Sequence, residues 1–304
     1  MPITVSQIQA YTGHRGSIFA MTHDPEEQFL FTSGDDGVVA QWNLAQGKDE
    51  ASALLQIPHA VYGLAYVAPH DLLVAGASEG TISFVDVSSR ELRKQYARTR
   101  DAIYHIEYVA ATDSLWILHG SGYLSIVDAK TLEERSFKRI STEHLRSLAI
   151  HQGTAYIACS DHHIIALDVK DATEITRWKA HDNSVFSVLV HPSGQYLFSG
   201  GRDAHLCVWD LKRNHEQIAR IPAHNFTIND LALSSDEQHL LTASRDKTFK
   251  LWDAHTFKLL KVVDHARNEA HTHSVNRIFW LAKDNSVISC SDDRKILRWK
   301  VLIS

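Results

Sequence analysis

Seven copies of one short pattern, each about 40 residues after the last, constrain this chain more than anything in its composition. The pattern is clearest from Ala180 to Leu211, AHDNSVFSVLVHPSGQYLFSGGRDAHLCVWDL. Three runs in it, SVFSVLVH, QYLFSG and HLCVWDL, are separated by Pro192-Ser193-Gly194 and by Gly201-Arg202-Asp203. Short β-branched and aromatic runs between turn-forming Pro, Gly, Ser and Asp read as strands. One such unit cannot cover its own apolar faces, so copies must stack on one another. Alignment on Trp209-Asp210 places equivalents at Trp42-Asn43, Val85-Asp86, Val127-Asp128, Leu167-Asp168, Trp252-Asp253 and Trp299-Lys300, in steps of 43, 42, 40, 42, 43 and 47 residues.

With Gly-His or Ala-His upstream of Trp-Asp at this period, the chain resembles the WD40-repeat β-propellers over essentially all 304 residues. The first, fifth, sixth and seventh units carry the motif strongly; the second to fourth are recognisable mainly by spacing. The resemblance implies an all-β, seven-bladed propeller with four-stranded antiparallel blades, one domain over residues 1–304. Only five residues follow Trp299, so the last blade lacks an outer strand of its own. Residues 3–11, ITVSQIQAY, alternate apolar and polar and are expected to complete that blade. The ring would close as WD40 rings do, and an unpaired sheet edge would disappear. The insertion at 265–274, HARNEAHTHS, accounts for the longest step and reads as a solvated loop.

In the strong units His lies 28 residues before Trp, a hydroxyl 10 before and Asp 6 before. The sets are His14/Thr32/Asp36/Trp42, His181/Ser199/Asp203/Trp209, His224/Thr242/Asp246/Trp252 and His271/Ser289/Asp293/Trp299. A hydrolase triad needs one nucleophile in one pocket, and four copies with Ser and Thr interchanged do not fit that. Trp has one N–H to donate, a hydroxyl can donate and accept, and a carboxylate can accept from imidazole. A chain of these bonds would tie loop, turn and third strand together, and WD40 repeats use the residues in that way. No catalytic residue is therefore assigned. Units two to four carry Glu79, Ser121 and Asp161 at the Asp position, and Val85, Val127 and Leu167 at the Trp position. Their hydroxyl slots hold Ala75, Ile117 and Ile157. These blades are expected to fold on apolar packing alone.

The formal net charge is −5, with no basic cluster longer than three, so neither nucleic acid nor a membrane is expected as partner. Cys159, Cys207 and Cys290 lie in predicted strands of different blades, which suits a reducing compartment. The first residues, MPITVSQIQAYTGH, do not read as a secretory signal, and no apolar run is long enough to span a bilayer. A cytoplasmic location is the expectation. The twenty His residues lack Cys or clustered carboxylates at ligand spacing, so neither a metal nor a cofactor is expected.

A seven-bladed ring leaves a central channel. The residue after the first apolar position of each inner strand is expected at its mouth: Phe19, Tyr62, Tyr104, Arg146, Phe186, Asn229 and Asn276. The residues before the turn Asp, namely Asp35, Arg202, Arg245 and Asp292, would form a charged rim. Four aromatics and an Arg around one opening suit a docking surface, although the aromatics could instead plug the channel. The expected function is a non-catalytic scaffold that binds a peptide or protein segment at this mouth, as a monomer or a subunit of a hetero-complex. The alternative is a propeller enzyme or small-molecule sensor using the channel, for which the channel-facing positions show no inward cluster of His and carboxylates.

Overall fold

The computed structural model describes residues 3–45 and 49–303; Met1 and Pro2, at the start of the expected closing segment, lie outside them. The described residues form twenty-eight strands in seven four-stranded antiparallel sheets, the blades, numbered here in chain order. Blades one to six are consecutive meanders. The seventh takes three strands from the C-terminal end and its outermost from the N-terminus: Ile3–Tyr11 pairs with Ile296–Ile303 from Ile3↔Ile303 to Tyr11↔Ile296. The ring is closed by that splice, with Val5 and Tyr11 buried.

Seven apolar clusters fill the seven junctions between adjacent blades. The cluster between blades seven and one holds Tyr11, Ile18, Trp42, Ile288 and Ile296; that between blades five and six holds Phe198, Val208, Ile228 and Trp252. No blade has a core of its own, which is why the unit repeats. Turn chemistry follows the sequence. In blade four's short first hairpin, Gln152 and Gly153 both take positive φ (45° and 84°), as a two-residue hairpin turn requires.

All four His–hydroxyl–Asp–Trp sets form the same chain of bonds. Nδ1 of His14, His181, His224 and His271 lies 2.8–2.9 Å from the carboxylates of Asp36, Asp203, Asp246 and Asp293 in turn. Nε2 of the same imidazoles lies 2.7–2.9 Å from the hydroxyls of Thr32, Ser199, Thr242 and Ser289. The indole N–H groups of Trp42, Trp209, Trp252 and Trp299 donate to those hydroxyls at 2.8–3.0 Å. Because Trp can only donate and the carboxylate can only accept, the hydroxyl proton points to Nε2, and the imidazole is neutral with its proton on Nδ1. Thr32, Ser199, Thr242 and Ser289 are wholly buried. Both bonds of each hydroxyl go to its own blade, so these four residues brace the fold and present nothing to a partner. Burial depresses the His224 pKa, in keeping with a neutral imidazole. Burial alone would raise Asp203, but hydrogen bonds from His181 and two backbone amides bring it down to about 2.

Blades two to four correct the expectation of packing alone. In blade three the wholly buried His119 bridges Thr99 Oγ1 (3.0 Å) and Ser125 Oγ (2.8 Å), and Ser125 donates to Glu134. In blade four Ser141 donates to Asp161, and in blade two Gln95 donates to the buried Ser83 hydroxyl. Polar ties persist there at other positions. The 265–274 insertion is also more ordered than a solvated loop. His265–Asn268 form one helical turn capped by Asp264, and Asn268 Nδ2 donates to the Val5 carbonyl of the closing strand (3.0 Å). His265 and His273 lie in no group of three metal-ligating side chains among the described residues.

Candidate interaction site at the channel mouth

Each inner strand carries a β-bulge at one position. The register skips a residue between Ile18 and Ala20, Val61 and Gly63, Ile103 and His105, and Leu145 and Ser147. It skips again between Val185 and Ser187, Ile228 and Asp230, and Val275 and Arg277. The skipped residues are Phe19, Tyr62, Tyr104, Arg146, Phe186, Asn229 and Asn276, the seven expected at the mouth. A bulge leaves a residue outside the ladder and re-aims its side chain, so sevenfold repetition gathers seven half-buried side chains at one level.

Five of them touch in sequence around the opening. Phe19 and Tyr62 have ring centroids 5.0 Å apart, and Tyr62 and Tyr104 5.8 Å. The Arg146 guanidinium lies 4.2 Å from the Tyr104 ring centre and 4.7 Å from that of Phe186. The two Asn residues serve the backbone. Asn229 donates to Ser274 Oγ and the Val275 carbonyl, and Asn276 to the Ile18 carbonyl and Asp292. They staple blade six to seven and seven to one. Of the rim, Asp35, Arg202 and Arg245 are exposed and Asp292 is half-buried.

The inner strands of the ring line a cavity of roughly 490 Å³. His105, Glu107, Asp230 and Arg277 line it, and these overturn the expectation that no inward cluster of His and carboxylates exists. Arg277 Nη1 lies 3.6 Å from Asp230, whose other oxygen accepts the Ile278 N–H (2.9 Å). The Arg277 side chain also reaches the Phe19 carbonyl (3.4 Å) and, on the far side of the ring, the Tyr104 carbonyl (3.5 Å). An arginine from blade seven thus reaches across the channel to blade three. Burial pushes the Asp230 carboxyl up despite Arg277 beside it. His105 lies 3.4 Å from Glu107. The sequence did hold a signal: the residue after each bulge is Ala20, Gly63, His105, Ser147, Ser187, Asp230 or Arg277, so three large polar groups stand in a column of small ones.

The WD domain, G-beta repeat family model matches residues 5–43, 172–210, 215–253 and 264–300. These matches fall on the four blades that hold a complete His–hydroxyl–Asp–Trp set. A U3 small nucleolar RNA-associated protein 15 homolog from Gallus gallus is 27% identical over 211 residues, 68% of this chain and 40% of that protein. Protein hir1 of Schizosaccharomyces pombe is 30% identical over 138 residues, 40% of this chain and 14% of that protein. Eukaryotic translation initiation factor 3 subunit I of Brugia malayi is 35% identical over 85 residues, 28% of this chain and 26% of that protein. The aligned part thus spans at most 40% of the length of these relatives. The repeat matches, which together cover half of the chain, and the closed ring of seven blades establish that this protein belongs to the WD40-repeat family of β-propellers.

Proposed function

We propose that the protein is a non-catalytic interaction module that docks a peptide or protein segment on the channel mouth. The contiguous arc Phe19–Tyr62–Tyr104–Arg146–Phe186 carries this reading, since half-buried aromatics and Arg in mutual contact make an anchor surface. That one similar protein is named as a subunit of a larger factor agrees with a binding role. Affinity purification with quantitative mass spectrometry would identify partners. The triple variant Phe19→Ala/Tyr104→Ala/Phe186→Ala is expected to lose them while still melting cooperatively. Recovery of the same partners by that variant would place docking elsewhere. A cytoplasmic, reducing setting belongs to this reading. Cys159 and Cys207 are buried thiols pushed up to about 11 and 12, the inert state of structural cysteines.

A second reading, a small-molecule site in the channel, is favoured by the roughly 490 Å³ cavity and its charged lining. A thermal-shift screen of polar metabolites tests it, and hits should vanish in His105→Ala.

A further inference from the structure

The mouth already holds a cation of its own. Arg146 sits between the Tyr104 and Phe186 rings, where an incoming ammonium or guanidinium would otherwise stack. Its Nε donates to Ser160 Oγ (3.0 Å), and the Tyr104 side chain is the other polar group it meets. Among the described residues no carboxylate pairs with Arg146. Burial works against its charge, yet a guanidinium does not lose its proton near neutrality. A partly desolvated, unpaired guanidinium stacked on aromatics is an incomplete interaction, and a planar or tetrahedral oxyanion completes it with short, charge-assisted bonds.

The rim charges are segregated in the same sense. Arg202 in blade five is near enough to act electrostatically on Arg146, and Arg245 follows in blade six. The acids lie on the other side: Asp292 in blade seven, held by Asn276, and Asp35 in blade one, which acts on Tyr62. The opening therefore has a basic arc over blades four to six and an acidic arc over blades seven and one. Three Arg residues facing two acids, on a chain of net charge −5, suit one anionic group on a peptide rather than the continuous phosphate track of a nucleic acid.

We infer that Arg146, with Tyr104, Phe186 and Arg202, forms an oxyanion subsite that receives a side-chain carboxylate or a phosphoryl group from a docked peptide. The inference rests on the reading of the mouth as the docking face and adds the chemical class of its ligand.

The test uses nine-residue peptide libraries, acetylated and amidated at their ends, with uncharged degenerate flanks and a central Glu, phosphoserine, Gln or Lys. Each is passed over the immobilised full chain at 0.05 M salt, and the retained peptide is measured. Glu or phosphoserine libraries are expected to be retained about tenfold over Gln and Lys, and the advantage should shrink at 0.5 M salt. Greater retention of phosphoserine identifies a phosphoryl ligand, and greater retention of Glu a carboxylate. Arg146→Gln should bring both to the Gln level. The exposed Arg202→Gln, which disturbs no packing, should cost several-fold and keeps the test decisive if Arg146→Gln fails to fold. Equal retention of Gln, or preference for Lys, overturns the inference. So does retention of a ten-nucleotide oligouridylate in place of the peptides. If retention depends on Phe19 and Phe186 but ignores the central residue, the docking face stands and the oxyanion subsite falls. If no library is retained, both fall.

Discussion

Replacing Arg277 by Met keeps a long side chain in the channel while removing the charge that faces Asp230. The Asp230 carboxylate is buried, with 8% of the residue exposed, and its partner's Nη1 lies 3.6 Å away. At an effective dielectric near 20 that separation is worth about 4–5 kcal/mol. Breaking a buried pair on one side costs about 3–5 kcal/mol by a separate route, because a charge is left unpaired. For a chain of this size the loss corresponds to a melting temperature lower by roughly 5–8 °C. Calorimetry at several pH values reads the sign. Burial already holds the Asp230 carboxyl above its ordinary range, and removing Arg277 raises it further. A carboxyl raised in the folded state is least costly when protonated, so the deficit of Arg277→Met should be largest at pH 8 and shrink towards pH 5. The channel also holds His105, which acts on the Asp230 carboxyl in the same direction as Arg277, and Glu107, 3.4 Å from His105. Adding Asp230→Asn, which can still accept from the Ile278 amide, should restore at least half of the loss. A deficit under 1 °C, one that does not vary with pH, or a double variant no better than the single would refute the argument.

Deletion of residues 1–11 removes the outer strand of blade seven and the buried Val5 and Tyr11. Burial of about 1.5–3 kcal/mol for each predicts a melting temperature lower by at least about 5 °C, and an unchanged value would refute closure of the ring by that strand. Asp246→Ala orphans His224, the Asn225 amide and Thr248 and should cost about 1–3 kcal/mol in urea denaturation; a change below about 0.5 kcal/mol would show that the His–Asp chain is not structural. Asp203, held at about 2 against an ordinary 3.8, contributes stability that is present above pH 4 and lost as pH falls through 2. Acid unfolding of Asp203→Asn should therefore be shallower between pH 4 and 2, and parallel curves would sink that assignment.

Blade number and closing strand were legible in the sequence because one unit repeats and its last copy is a strand short. Trp or its substitute recurs every 40–47 residues, and the bulge falls at the same place after the first apolar residue of each inner strand. The hydroxyls were legible in the same way: Thr32, Ser199, Thr242 and Ser289 each stand ten residues before a Trp whose indole they accept from. The channel lining was not legible, for the same reason reversed. Alternation in a strand puts neighbouring side chains on opposite faces, so a reading that sends Asn276 to the mouth sends Arg277 away from it. The bulge suspends alternation, and His105, Asp230 and Arg277 line the channel instead. His119 was missed because blade three carries its imidazole on the second strand, twenty residues beyond Thr99 in the loop.

The splice of the two ends into blade seven sets an order in time. Of the ring's strands, Ile3–Tyr11 is made first and its pairing partner Ile296–Ile303 last. At about 5–20 residues per second the first strand waits roughly 15–60 s for its mate. Until then the sheets already made can stack only as an open arc, with the first strand unpaired at one end. The full circle, and with it any grip at the hub, is acquired only once the last strand of the ring has been made.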